Sequence, residues 1–267
     1  MEKHLLILTI IIIFFNSLMV VSQEQPDIDN IIAERPGVTN PPQTVDLKKL
    51  QIESGFYYES DKIKNTDIKT DNYLYPTTLL RYGLLKNFEL RLQVDIAGIS
   101  TSTTGSNRIS ASGLNPFIIG GKIYVCEQKK LRPETGFVFG LTLPFTGKQE
   151  FRPKYITPAM AFYCLNTINN KWNIGYNIGM QWNGNDANPV YNLSICPGYN
   201  FSGKVSGFAE IYSSYLSGEI PDYRCDAGLT YTPIPNLQLD VYGGPGISGP
   251  TNNYFISAGI SFRTPKL

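Results

Sequence analysis

Histidine is nearly missing from this chain: the single histidine among 267 residues is His4. Without another, no Ser-His or Cys-His nucleophile pair and no imidazole metal site can form in the mature protein. Neither catalysis, nor a cofactor, nor a metal is expected. An excess of one charge is also missing, with 23 Lys and Arg against 22 Asp and Glu. Phosphate binding needs a basic surface, so nucleic acid is not an expected partner. After residue 22 no apolar run reaches the roughly 20 residues of a spanning helix. The four cysteines, Cys126, Cys164, Cys196 and Cys225, match no metal or redox spacing. They read as small strand residues ahead of the three disulfide pairings that an oxidising compartment would allow.

Residues 1–22 have the make-up of a secretory signal. Lys3 and His4 form a short positive end, Leu5 to Phe15 an unbroken apolar run, and Val20, Val21 and Ser22 a small-residue cleavage site. Residues 23–46, rich in Pro, Asp, Asn and Thr, lack periodicity and are expected to form an extended arm, either periplasmic or inserted in a lumen. The rest, 47–267, reads as one β domain.

The clearest pattern runs from Lys171 to Gly203. Trp172, Ile174, Tyr176, Ile178, Met180 and Trp182 alternate with Asn173, Gly175, Asn177, Gly179, Gln181 and Asn183. A strand apolar on one face gives this period of two. The two tryptophans are ten residues apart, which projects to about 25 Å along a tilted strand, the height of the apolar band of a membrane barrel. Aromatic rings favour bilayer interfaces. The same two-ended placement recurs at Tyr191 and Phe201, Tyr223 and Tyr231, and Tyr254 and Phe262, which makes these eight the expected membrane-interface aromatics.

About twelve such strands are expected, joined by alternately short turns and longer polar loops, among them Ser60 to Asn72 and Ala97 to Leu114. A chain that lies in lipid without spanning helices must close its backbone hydrogen bonds in a barrel. The predicted fold is all-β: an antiparallel transmembrane β-barrel of about 12 strands, preceded by the signal peptide and the arm. Charge on the lipid face of such a barrel costs about 2–4 kcal/mol near the midplane. The polar-face residues Glu53, Arg81, Glu89, Arg91, Asp95, Lys122, Tyr124, Glu210, Arg224, Asp226, Asp240 and Arg263 are therefore expected to line the lumen. Inner glycines such as Gly136, Gly140, Gly175 and Gly179 would leave room for passage, and Tyr57, Tyr75, Tyr212 and Tyr242 share the polar face. The functional expectation is a passive or facilitated channel for small solutes, in outer-membrane lipid and dependent on the barrel-assembly machinery for its biogenesis. The alternative is a closed barrel with a structural or surface-interaction role, using the loops Ser60 to Asn72 and Ala97 to Leu114.

Several short pieces recur in one order: Glu34-Arg35-Pro36-Gly37, Gln51-Ile52-Glu53-Ser54-Gly55, Leu80-Arg81-Tyr82-Gly83-Leu84 with Phe88-Glu89-Leu90-Arg91, Lys122 with Tyr124, Leu143-Pro144, Glu210, Asp240, and Gly259-Ile260-Ser261-Phe262-Arg263. In these the chain resembles a family of bacterial outer-membrane barrels named after the MetA pathway of phenol degradation. The resemblance implies a β-barrel and passage of small hydrophobic or aromatic compounds, with no catalytic residues.

Overall fold

The structure, a computed structural model, describes residues 30–105, 108–185, 187–249 and 251–265. The signal segment and the first arm residues lie outside the described residues.

Thirteen strands follow one another: β1 (Leu50–Ile63), β2 (Lys69–Leu85), β3 (Phe88–Ser102), β4 (Ile109–Leu114), β5 (Phe117–Cys126), β6 (Glu134–Leu143), β7 (Thr157–Thr167), β8 (Trp172–Trp182), β9 (Pro189–Asn200), β10 (Val205–Leu216), β11 (Asp222–Ile234), β12 (Leu237–Ser248) and β13 (Thr251–Arg263). Consecutive strands pair antiparallel, except β4 with β5, and β1 pairs with both β2 and β13, so the sheet closes on itself. Both β4 and β5 pair with β3, β4 with 96–101 and β5 with 88–93. They share one place in the wall, broken at Asn115 and Pro116 because proline cannot donate to the ladder. The thirteen segments therefore make a twelve-strand barrel, as the period of two predicts.

The barrel is inverted relative to a water-soluble protein. Its fully buried large side chains include Arg81, Lys122, Gln51, Glu53, Glu89 and Glu210, whereas Ile178, Leu193, Ile195, Ile211 and Leu229 are more than half exposed on the outer face. Large exposed apolar surface around a charged interior is the mark of a chain whose outer solvent is lipid. The alternation sorts the two sets, since one residue step turns a side chain to the other face. Trp172, Tyr191, Phe201, Tyr223, Tyr231, Tyr254 and Phe262 all stand exposed on the outside, and the half-buried Trp182 donates its indole N–H to the Ala187 carbonyl at 3.1 Å.

Two expectations need correction. Tyr75 is not on the inner face: the ladder skips a register between Leu74 and Thr77, and such a bulge shifts the alternation. Its ring lies 6.3 Å from that of Tyr73, which lies 5.1 Å from that of Tyr58, itself 6.1 Å from Tyr254. The bulge thus extends the outer aromatic belt across β13, β1 and β2. Nor are Ser60 to Asn72 and Ala97 to Leu114 open loops. β1, β2, β3 and β4 run on into them as polar strands, paired for example through the hydroxyls of Thr70 and Thr101 at 3.2 Å. The apolar band ends before the hydrogen-bond ladder does, and only the former shows in hydropathy.

The long connection from Pro144 folds into two 3-10 turns, Pro144–Thr146 and Gln149–Phe151. Lys148 caps the edge of β4, its N–H bonded to the Leu114 carbonyl at 2.8 Å and its ammonium to the Ser112 carbonyl at 3.0 Å. A charged cover of this kind protects a strand edge. The four cysteines are free thiols on β5, β7, β9 and β11.

An Ile178→Arg substitution on the lipid face should cost about 2–4 kcal/mol of folding stability in bilayers, read from the urea midpoint of the reconstituted barrel. An unchanged midpoint would place this face in water.

A candidate pore and the arm that lies in it

Inner-facing charges on adjacent strands come together because antiparallel register sets them side by side. Arg81 on β2 stands opposite Gln51 on β1 and Arg91 on β3. Its guanidinium donates to Glu53 Oε1 at 2.8 Å and to both oxygens of Glu89 at 2.9 Å. Arg91 bonds Glu89 at 2.7 Å. Three strands thus build a charged ladder that water scarcely reaches, with Arg81, Glu53 and Glu89 side chains at most 1% exposed.

The arm completes it. Glu34 pairs with Arg91 through both of its oxygens and with Lys122 on β5 at 2.6 Å. Glu53 accepts the backbone N–H groups of Glu34 and Arg35 at 2.8 and 3.0 Å. Lys122 donates to the Pro41 and Gln43 carbonyls, and Arg81 to those of Ile32 and Gln43. Glu89 takes the N–H of Val45 at 2.7 Å. On the far side Arg35 pairs with Asp240 on β12 at 3.0 Å and donates to Ser257 on β13. Glu210 on β10 accepts the N–H groups of Val38 and Thr39 at 2.6 and 2.8 Å, Asn40 donates to the Tyr163 hydroxyl on β7, and Asp46 pairs with Arg263 at 3.0 Å. These partners come from strands on every side of the ring, so residues 31–46 lie inside the lumen, with inward side chains bonding the backbone N–H groups of Glu34, Arg35, Val38, Thr39 and Val45 and the carbonyls of Ile32, Pro41 and Gln43.

Inner glycines form the seat. A Cβ on Gly136 would collide with the Pro42 carbonyl, one on Gly175 would lie 3.1 Å from the Thr39 methyl, and one on Gly55 would meet the Arg35 guanidinium at 2.6 Å. The expected room at Gly136 and Gly175 is therefore filled by the arm. Gly37 turns the arm at φ +101°, a left-handed backbone that suits glycine, and a Cβ there would also press on Glu210 at 2.8 Å.

The rest of the lumen is divided. On one side Phe208, Tyr242, Phe255 and Tyr57 form a row across β10, β12, β13 and β1, with successive ring centroids 6.4, 5.5 and 5.5 Å apart. Gly228 on β11 gives it space, since a Cβ would meet Phe208 at 2.5 Å. On the other side a cavity of about 420 Å³ opens beside the arm, bordered by Val38, Asn40, Arg91, Gly140, Asn177 and Gly179 among others.

Of the twelve polar-face residues singled out in the sequence, Arg91 alone borders this cavity. Glu53, Arg81, Glu89, Lys122, Glu210, Asp240 and Arg263 bind the arm instead. Tyr124 is fully buried beside Glu134, which also accepts from the arm's Gln43 at 2.6 Å. Asp95 accepts from Gln93 and the Thr78 N–H. Arg224 pairs with Glu59 and Asp222, and Asp226 stands opposite Glu210 in the β10–β11 register. Reading by residue type missed the arm's own Glu34, Arg35 and Asp46 as ion-pair partners, and the neutral amides around the cavity. The amides do carry a signal, because they occupy the polar parity positions of β3, β8 and β9.

Arg81→Met should destabilise the barrel by about 3–5 kcal/mol, because it strands buried Glu53 and Glu89 without their cation. Denaturant unfolding measures this, and a loss under 1 kcal/mol would mean that water reaches the cluster.

The chain is similar in structure to the COG4313 outer membrane channel from Pseudomonas putida F1, with a TM-score of 0.68 at 11% identity over 86% of this chain and 99% of that one. The translocator domain of the autotransporter NalP from Neisseria meningitidis follows at 0.55 and 11% identity, covering 80% of this chain and 88% of that one. The transport unit of AIDA-I from Escherichia coli scores 0.54 at 13% identity, with 93% and 97% covered. At such identities the likeness shows the fold. No curated protein matches this sequence. Residues 33–264 match the family described as "Putative MetA-pathway of phenol degradation", from just before Glu34 in the arm to the end of β13, and the chain belongs to that family.

Proposed function

We propose that this protein is a bacterial outer-membrane channel that passes small solutes through the cavity beside its lumen-inserted arm. On this reading residues 1–22 are a signal peptide removed near Ser22, 23–46 are the arm and 47–267 the barrel. The barrel-assembly machinery inserts it into the outer membrane, and the eight outer aromatics sit at the two lipid–water interfaces. The observation that carries the reading is the divided lumen. Interior side chains that only had to seal and stabilise a barrel would fill it on both sides. Here the aromatic row lines one side, and the other keeps an open space of about 420 Å³ beside the arm, bounded by Gly140 and Gly179. The arm narrows the passage without occupying that space. The likeness to a structure described as an outer membrane channel supports the same reading. So does the lack of histidine beyond His4, which leaves no acyl-transfer triad for the barrel to carry. The resemblance to the phenol-degradation family favours small hydrophobic or aromatic compounds among the solutes.

A Gly140→Phe substitution tests this path. The nearest atoms to a Cβ at Gly140 are Ile118 Cγ2 at 3.3 Å and the Ile119 carbonyl at 3.6 Å, so the ring has only the cavity to enter. Proteoliposomes bearing the variant should take up small solutes about tenfold more slowly than wild type, with the same heat-modifiable gel mobility that marks a folded barrel. Equal uptake would place the path elsewhere.

A further inference from the structure

We propose that the cavity beside the arm selects uncharged solutes bearing hydroxyl or carbonyl groups, and that Gln93, Gln181, Asn192 and Tyr212 exchange hydrogen bonds with them. The inference rests on the channel reading and narrows it to a solute class.

Charge is the first argument. Among the described residues Arg91 is the one ionised residue on the cavity wall, and its guanidinium is already bonded to Glu34 and Glu89. The cluster it belongs to balances, with Glu34, Glu53 and Glu89 against Arg81, Arg91 and Lys122. An ion entering the cavity sheds hydration and meets no unspent countercharge, which is unfavourable in a confined low-dielectric space.

Hydrogen-bonding capacity is the second. Among the described residues the side chains of Gln181 and Tyr212 form no hydrogen bond with the protein, although both face the cavity. Asn192 spends only its Oδ1, which accepts from Ser214 at 2.8 Å, and Gln93 only its Nε2, which donates to Asp95 at 2.7 Å. The four present free donors and acceptors of neutral type, the partners that a hydroxyl or carbonyl needs when it leaves water. Beside Gln93, its register partners Leu79 on β2 and Ile118 on β5, with Val138 on β6, supply an aliphatic surface. The mixed lining fits a small molecule with both carbon surface and uncharged polar groups. Selection by such a lining needs no fixed charge, only partners that replace lost water.

The test compares two solutes that cross lipid slowly: erythritol, neutral and hydroxyl-rich, and glycine, a smaller zwitterion that carries both charges without a counter-ion, so that size alone favours glycine. Liposomes containing the full-length mature protein should swell about tenfold faster in erythritol than in glycine, beyond the protein-free background. Equal or faster swelling in glycine would overturn the proposal. The double variant Gln181→Leu with Tyr212→Phe should cut the erythritol rate about fivefold while leaving the glycine rate and the heat-modifiable mobility unchanged. An unaltered erythritol rate in a folded double variant would remove these side chains from selection. No swelling in either solute would refute the channel itself, a failure distinct from reversed preference.

Discussion

Everything inside this barrel is arranged around one buried exchange of charge, the bonding of Arg81 to Glu53 and Glu89 on its neighbouring strands. A guanidinium and two carboxylates shut away from water are costly unless each remaining lone pair and proton finds a partner. The wall alone does not supply those partners. The arm does: its carbonyls take the spare N–H groups of Arg81, its amides donate to the outer oxygens of Glu53 and Glu89, and Glu34 balances Arg91 and Lys122. Arm and wall are thus incomplete without each other. The arm's placement follows from the chemistry of the strands.

That constraint divides the lumen and leaves its function to the remainder. The arm approaches the wall closely at Gly55, Gly136 and Gly175, through the Arg35 guanidinium, the Pro42 backbone and the Thr39 methyl, so small residues mark its track. The aromatic row through Tyr242 lines the wall on one side of it, and Arg35 lies over the Tyr242 ring at 5.9 Å. What stays open is bordered by amides, hydroxyls and aliphatic side chains. The ion-pair machinery holds the arm, and the neutral residues face the open cavity.

The barrel was legible in the sequence because its signal is local. Alternation along Trp172 to Trp182 depends only on which face meets lipid, and β8 keeps that pattern with no bulge in its pairing with β9. The polar faces were legible for the same reason, down to Arg81, Glu89 and Lys122. What those residues touch was not, because parity places a side chain inside without saying what fills the inside. Gly136 and Gly175 read as open space for this reason, although Pro42 and Thr39 occupy it. Tyr75 was misplaced by a bulge at Tyr75 and Pro76; a proline inside a strand signals such a break, but a strict period of two carried across it reverses the faces. The strand ends beyond Ser60 and Ala97 were hidden because hydropathy reports the bilayer's edge, whereas β1 to β4 continue past it on Thr and Ser.

Single-channel conductance in a planar bilayer measures the arm's hold on the lumen. The full mature chain should be compared with a chain beginning at Leu47, which keeps β1 to β13 and lacks the arm. With the arm present the open cross-section is one side of the lumen, so conductance should be small. Without it the space around Arg81, Glu53 and Glu89 fills with water, and conductance should rise by about tenfold with a salt dependence set by the freed charges. Equal conductance from two folded chains would contradict the account, since it would mean that the arm does not occupy the path.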